Sequence, residues 1–155
     1  MPPTGRVGYH TLHVTLRNVA LHSRIFYKEA QTLAQAGYRC AVVGLPQGGQ
    51  TVYARGGVLV LPYPTGAAVL RRLCFVAWAV ARLRPAVLHV HSPELLLLGL
   101  WARLRYGCRV VYDVHEDYRA NRHYGAEYAQ CRPWQRLVGT LLRLWERLAL
   151  RWVMA

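Results

Sequence analysis

Short β-branched runs alternate with stretches of helical period from residue 10 to residue 150, and that alternation restricts the chain to the α/β class. His10-Thr-Leu-His-Val-Thr-Leu16 reads as a first strand, and Ile25, Phe26, Ala30, Leu33 and Ala34 then recur at helical spacing over 24–36 before Gly37, a natural helix stop. Strands follow at 38–44 and 57–61, separated by the turn Pro46-Gln-Gly-Gly-Gln50. The second half predicts a helix over 66–84, a strand over 86–91, a helix over 93–105, a strand over 109–114 and a helix over 133–150. The expected architecture is a Rossmann-like parallel sheet with helices on both faces. Pro93 suits a first helical turn, and Ser92 suits the N-cap before it.

A chain of 155 residues suits one domain and removes roughly 68–70% of its unfolded surface from water on folding. With 54% apolar and 17% charged residues it excludes a disordered chain. The 20 basic residues against 7 acidic ones give a net charge of +13, and every basic residue except Lys28 is arginine. A field of that sign attracts anions, whether nucleotide phosphates or an acidic membrane face, although GC-rich coding alone also raises arginine. Cys40, Cys74, Cys108 and Cys131 form no C-x-x-C pair, so the cysteines imply neither a zinc site nor a disulfide framework. No apolar run approaches the ~18 residues that span a bilayer, and the amino terminus does not read as a signal peptide.

Chemistry concentrates where two strands end. Residues 108–118, Cys-Arg-Val-Val-Tyr-Asp-Val-His-Glu-Asp-Tyr, deliver Asp113, His115, Glu116 and Asp117 at the carboxyl end of a β-branched run, where open α/β sheets place ligands. Carboxylates and an imidazole at that spacing can reach one substrate hydroxyl together. The second strand end, Ala86-Val-Leu-His-Val-His91 followed by Ser92-Pro93-Glu94, is expected to converge on the same crevice. There His91 is the ligand candidate, while His89 is expected on the opposite face, packed or bonded inside. No G-x-G-x-x-G or P-loop follows the first strand, so a phosphorylated ligand would rely on helix N-termini or on arginines such as Arg24.

Residues 119–132 lack clear period and read as a long loop leaving the cleft. Trp152-Val-Met-Ala155 begins as a further buried strand and stops without a cap or polar tail, which predicts a piece of a longer protein. The helices 66–84 and 133–151 mix arginines with aromatic and aliphatic residues, a pattern that also suits peripheral contact with anionic lipid.

Together these segments resemble the amino-terminal half of a GT-B glycosyltransferase of the family 4 group. The likeness rests on Arg24-Ile-Phe-Tyr-Lys-Glu-Ala30 with Leu33, Ala36, Gly37 and Tyr38; on His91, Pro93-Glu-Leu95 and Gly99; on Tyr112-Asp-Val-His-Glu-Asp-Tyr118; and on Glu146. It spans residues 11–155. The resemblance implies that 1–155 is the acceptor-side domain of a two-domain enzyme, whose carboxyl-terminal domain, absent here, holds most of the sugar nucleotide. The whole enzyme would move a hexose from a nucleotide sugar to a glycan, lipid-linked or small hydroxylated acceptor, with this portion inactive alone. His115 and Glu116 would then be catalytic, and Arg24, His91, Glu94, Asp113 and Asp117 substrate-binding. No cofactor and no metal are implied, the nucleotide sugar being a substrate, and the expected home is the cytoplasm, with peripheral attachment to the inner face of the membrane. The chain departs from the family pattern at Asn18, where His is usual, and at His22 and Ser92, where Asp is usual. A non-catalytic Rossmann-like binding module and the amino-terminal half of a sugar-nucleotide epimerase are the rivals. Nucleic acid is not expected as a partner, because no aromatic-basic recognition motif is present.

Overall fold

The computed structural model describes residues 8–49 and 51–113. The helix expected at 133–150, the loop 119–132 and the site candidates His115, Glu116 and Asp117 lie outside the described residues. Six strands form one sheet: β1 (Thr11–Val19), β2 (Cys40–Leu45), β3 (Tyr53–Arg55), β4 (Val58–Pro62), β5 (Val87–Val90) and β6 (Arg109–Tyr112). Their spatial order is β3-β4-β2-β1-β5-β6. All neighbours pair in parallel except β3, which runs antiparallel to β4. The expected all-parallel sheet therefore needs one correction. Three edge residues between Val52 and the Gly56-Gly57 turn carry too short a pattern to be read as a strand.

The sheet alternation separates two cores. Leu12, Val14 and Leu16 of β1, Ala41 and Val43 of β2, and Leu88 and Val90 of β5 pack with Val76, Ala79 and Val80 of α2 (Val69–Leu83) and Leu96 and Ala102 of α3 (Leu96–Tyr106). On the other face, Cys40 and Val42 of β2 and Val58 and Val60 of β4 meet Ile25, Phe26 and Ala30. Those three residues belong to a π-helical segment, Ser23–Ala30, that runs directly into α1 (Gln31–Gln35). The uniform helix expected over 24–36 is thus wide-wound for its first eight residues, with the Gln31 N–H donating five residues back to Phe26 O. Leu97 on α3 is 57% exposed. Among the described residues no helix is long and apolar enough to cross a membrane.

β1 outruns β5, and its pairing with β2 is irregular between Val14 and Val19. Side chains satisfy the backbone there. The Tyr63 hydroxyl donates to Thr15 O at 2.9 Å, Arg72 Nη1 donates to Leu16 O at 2.9 Å, and the Leu16 N–H donates to Ser92 Oγ at 3.2 Å. Ser92 sits at the N-cap position before Pro93 but makes no cap bond, so its expected role is corrected: the hydroxyl serves β1. Burial pushes the Tyr63 phenol up, against the opposing pull of the Arg72 cation, and keeps it a donor.

Gly44 is where β2 passes the end of β1 most closely. A Cβ there would lie 2.8 Å from the Ala20 Cα and N, backbone atoms with no rotamer to yield. At Gly99 in α3 the nearest neighbour is a Val110 methyl at 3.0 Å, which a small side-chain shift relieves. Gly44→Ala should therefore cost about 1–3 kcal/mol of stability from overpacking. Gly99→Ala should be close to neutral, because about 1 kcal/mol of helix propensity offsets the contact. Urea unfolding of both variants checks the order.

Candidate functional site

The sheet changes direction of winding between β1 and β5. From β1 the chain moves outward through β2 and β4, then returns to lay β5 and β6 on β1's other side. Such switch points open a crevice at the carboxyl ends of the strands. The register decides which side chains line it. His13 pairs directly with His89 and Val14 with Val90, and the His91 N–H donates to Val14 O. On β6, Val111 lies beside His89, and Asp113 N–H donates to Val90 O.

Residues two apart on a strand share a face. His89 and His91 therefore point the same way, and the expectation that placed them on opposite faces is wrong by that rule. Their ring centroids lie 4.5 Å apart, and His13 stacks 5.7 Å from His91 and 4.8 Å from His89. His89 is not an inner packing residue but a member of the same cluster as His91.

Glu29 enters this triad from the π-helical segment. Its Oε2 lies 3.5 Å from His13 Nδ1, 3.6 Å from His89 Nδ1 and 3.6 Å from His91 Nε2. Its Oε1 accepts from Arg24 Nε at 3.3 Å, while Arg24 Nη2 donates to Asp113 Oδ1 at 3.0 Å. Asp113 Oδ2 is 3.5 Å from His91 Nδ1, which closes a ring of polar contacts through Glu29, Arg24, Asp113 and His91. The wide winding makes the Arg24–Glu29 pair possible. On an α-helix, residues five apart point about 140° away from each other, whereas i to i+5 turns align them.

Arg24, His91 and Asp113, three of the residues singled out from the sequence, thus meet in one network. Glu94, the fourth described candidate, pairs instead with Arg17 across the end of β1. His13 and Glu29 were missed. His13 sits inside a strand between the buried apolar residues Leu12 and Val14, and Glu29 in a helical pattern looks like a solvated charge; only the pairing of β1 with β5 joins them.

Burial alone would raise the Glu29 carboxyl, but its polar contact with His13 and the charges of His91, His89 and His13 overcome that and hold it at about 2. A depressed folded value means that the carboxylate contributes stability above its ordinary 4.5 and loses it as the pH falls toward about 2. The urea-midpoint difference between the native chain and Glu29→Gln should be largest at about pH 6 and shrink steadily through that acid window. A difference independent of pH would refute the role of the charge.

This geometry, a half-exposed arginine beside two carboxylates and three imidazoles at the switch crevice of a doubly wound sheet, suits recognition of a polyhydroxylated ligand by many directed hydrogen bonds. No curated protein matches the chain significantly. Residues 23–155, which include Arg24, Glu29, His89, His91 and Asp113, match the family model described as glycosyl transferase 4-like domain, and the chain belongs to that family.

Proposed function

We propose that this chain is the acceptor-side domain of a transferase that moves a hexose from a nucleotide sugar to a glycan, lipid-linked or small hydroxylated acceptor. The observation that carries the reading is the family match over residues 23–155, joined to a polar network at the carboxyl ends of β5 and β6. A carboxyl-terminal partner domain contributes most of the contacts to the nucleotide, and no cofactor enters the reaction. Retention of anomeric configuration and a metal-free transfer step come from the family resemblance alone.

In this reading His91 and Asp113 form the inner wall of the acceptor pocket. Arg24, tied to both Glu29 and Asp113, offers a hydrogen-bonding cation at the rim. His115 contacts a hydroxyl of the acceptor or donor, with Glu116 and Asp117 orienting it. Glu94, held by Arg17, lines the neighbouring loop. In the full-length enzyme His115→Ala should lower kcat by ~10²–10⁴-fold, the range for loss of a positioned acid or base. Unchanged kinetics with an intact fold would overturn the assignment.

A cytoplasmic location with attachment to the inner face of the membrane completes the proposal. Its support is the arginine excess together with exposed Leu70 and Trp78 on α2 and exposed Leu104 on α3. Anionic vesicles should sediment the protein and neutral vesicles should not, with retention falling as salt rises. Equal partition to both vesicle types would remove the electrostatic component.

A further inference from the structure

The geometry points to a divalent metal site, matched to Zn²⁺, formed by His13, Glu29, His89 and His91. It shares His91 with the proposed acceptor pocket but does not require the transferase reading. Each of the four residues offers one ligand atom, and these atoms all lie within 4.8 Å of one another. The separations support one shared ion. Zinc binds imidazole nitrogen and carboxylate oxygen at about 2.0–2.2 Å, so the ligands at the corners of a tetrahedron stand about 3.3–3.6 Å apart. His13 Nδ1 is 3.4 Å from His91 Nε2, and Glu29 Oε2 is 3.5 Å from His13 Nδ1 and 3.6 Å from both His89 Nδ1 and His91 Nε2.

A second observation comes from the hydrogen bonds. Glu29 Oε2 is buried at the centre of the cluster yet makes no well-directed hydrogen bond among the described residues, while Oε1 is occupied by Arg24. One oxygen is therefore anchored and the other aimed at the imidazoles. The surroundings of His91 fit the same reading: Asp113 Oδ2 lies 3.5 Å from Nδ1, while Nε2 faces His13 Nδ1 at 3.4 Å and Glu29 Oε2 at 3.6 Å. A carboxylate behind a ligating imidazole is the usual outer support of a metal site. His13 and His91 are almost wholly buried, the first on β1 paired in register with His89 and the second held just past β5 by its N–H bond to Val14 O, so the donors are preorganised.

Four protein ligands close the coordination sphere, which marks a structural ion and not one that activates water. Its effect is to staple the π-helical segment to His13 of β1 and to the carboxyl end of β5. The family resemblance implies a metal-free transfer step, and a structural ion outside that step is compatible with it. Imidazole-rich four-coordinate donors favour zinc over magnesium or calcium, which prefer oxygen ligands.

The test is metal content and metal-linked stability of the full chain. After chelation and dialysis, Zn²⁺ should rebind at one ion per chain, and an excess of about a hundredfold over Kd should raise Tm by about 5–10 °C. Co²⁺ in its place should give the intense visible bands of a tetrahedral nitrogen–oxygen site. Glu29→Gln and the partly exposed His89→Gln, both checked for folding by circular dichroism, should abolish the Tm shift and the cobalt bands. Asp113→Asn should retain them with affinity lowered about 10–100-fold. Absence of stoichiometric Zn²⁺ binding by the native chain would overturn the site. So would binding that survives in both Glu29→Gln and His89→Gln, because it would then belong to the chain's other histidines.

Discussion

The parallel pairing of Thr11–Val14 with Val87–Val90 is the constraint on which the site depends. These two strands are separated by most of the described chain, yet their register brings His13 beside His89 and leaves His91 one step beyond, on the same face. A slip of one residue would send all the β5 side chains to the opposite face. The apolar residues between the histidines prevent that slip. Leu12, Val14, Leu88 and Val90 fill the opposite core, so the packing of α2 and α3 holds the polar face in place without touching it.

The polar cluster answers its own burial cost locally. A buried carboxylate among apolar groups would be expensive, but Glu29 meets three imidazoles and a guanidinium, and Asp113 shares that guanidinium. Every member is therefore answerable to another. Change at one position is felt around the ring, so single substitutions there should not add independently. The β1 backbone beyond Val14 is treated in the same manner, with Tyr63, Arg72 and Ser92 supplying bonds that a neighbouring strand would otherwise provide.

Much of the architecture was legible in the sequence because it follows local rules. Gly37 closes the first helical stretch, β-branched runs mark β2, β4, β5 and β6, and the amphipathic pattern of α2 was clear. Arg24, His91 and Asp113 were legible as candidates because each stands at an element end where polar groups have few structural uses. What escaped was non-local or short. β3 has three residues, and His13 acquires meaning only from a partner 76 residues away. Glu29 depends on a winding that composition does not announce. Ser92 matched the N-cap signature but was taken by a stronger claim, the otherwise unpaired Leu16 N–H.

The π-helical segment carries the most specific consequence. Ser23–Ala30 contains nothing that lowers ordinary helix propensity enough to forbid α winding, yet α winding would set Arg24 and Glu29 about 140° apart. The cleft's central carboxylate is therefore a property of pitch as well as of sequence. One residue fewer between Arg24 and Glu29 would bring the pair to an i, i+4 spacing that ordinary α winding aligns, so in this stretch chain length and helical pitch are matched to each other.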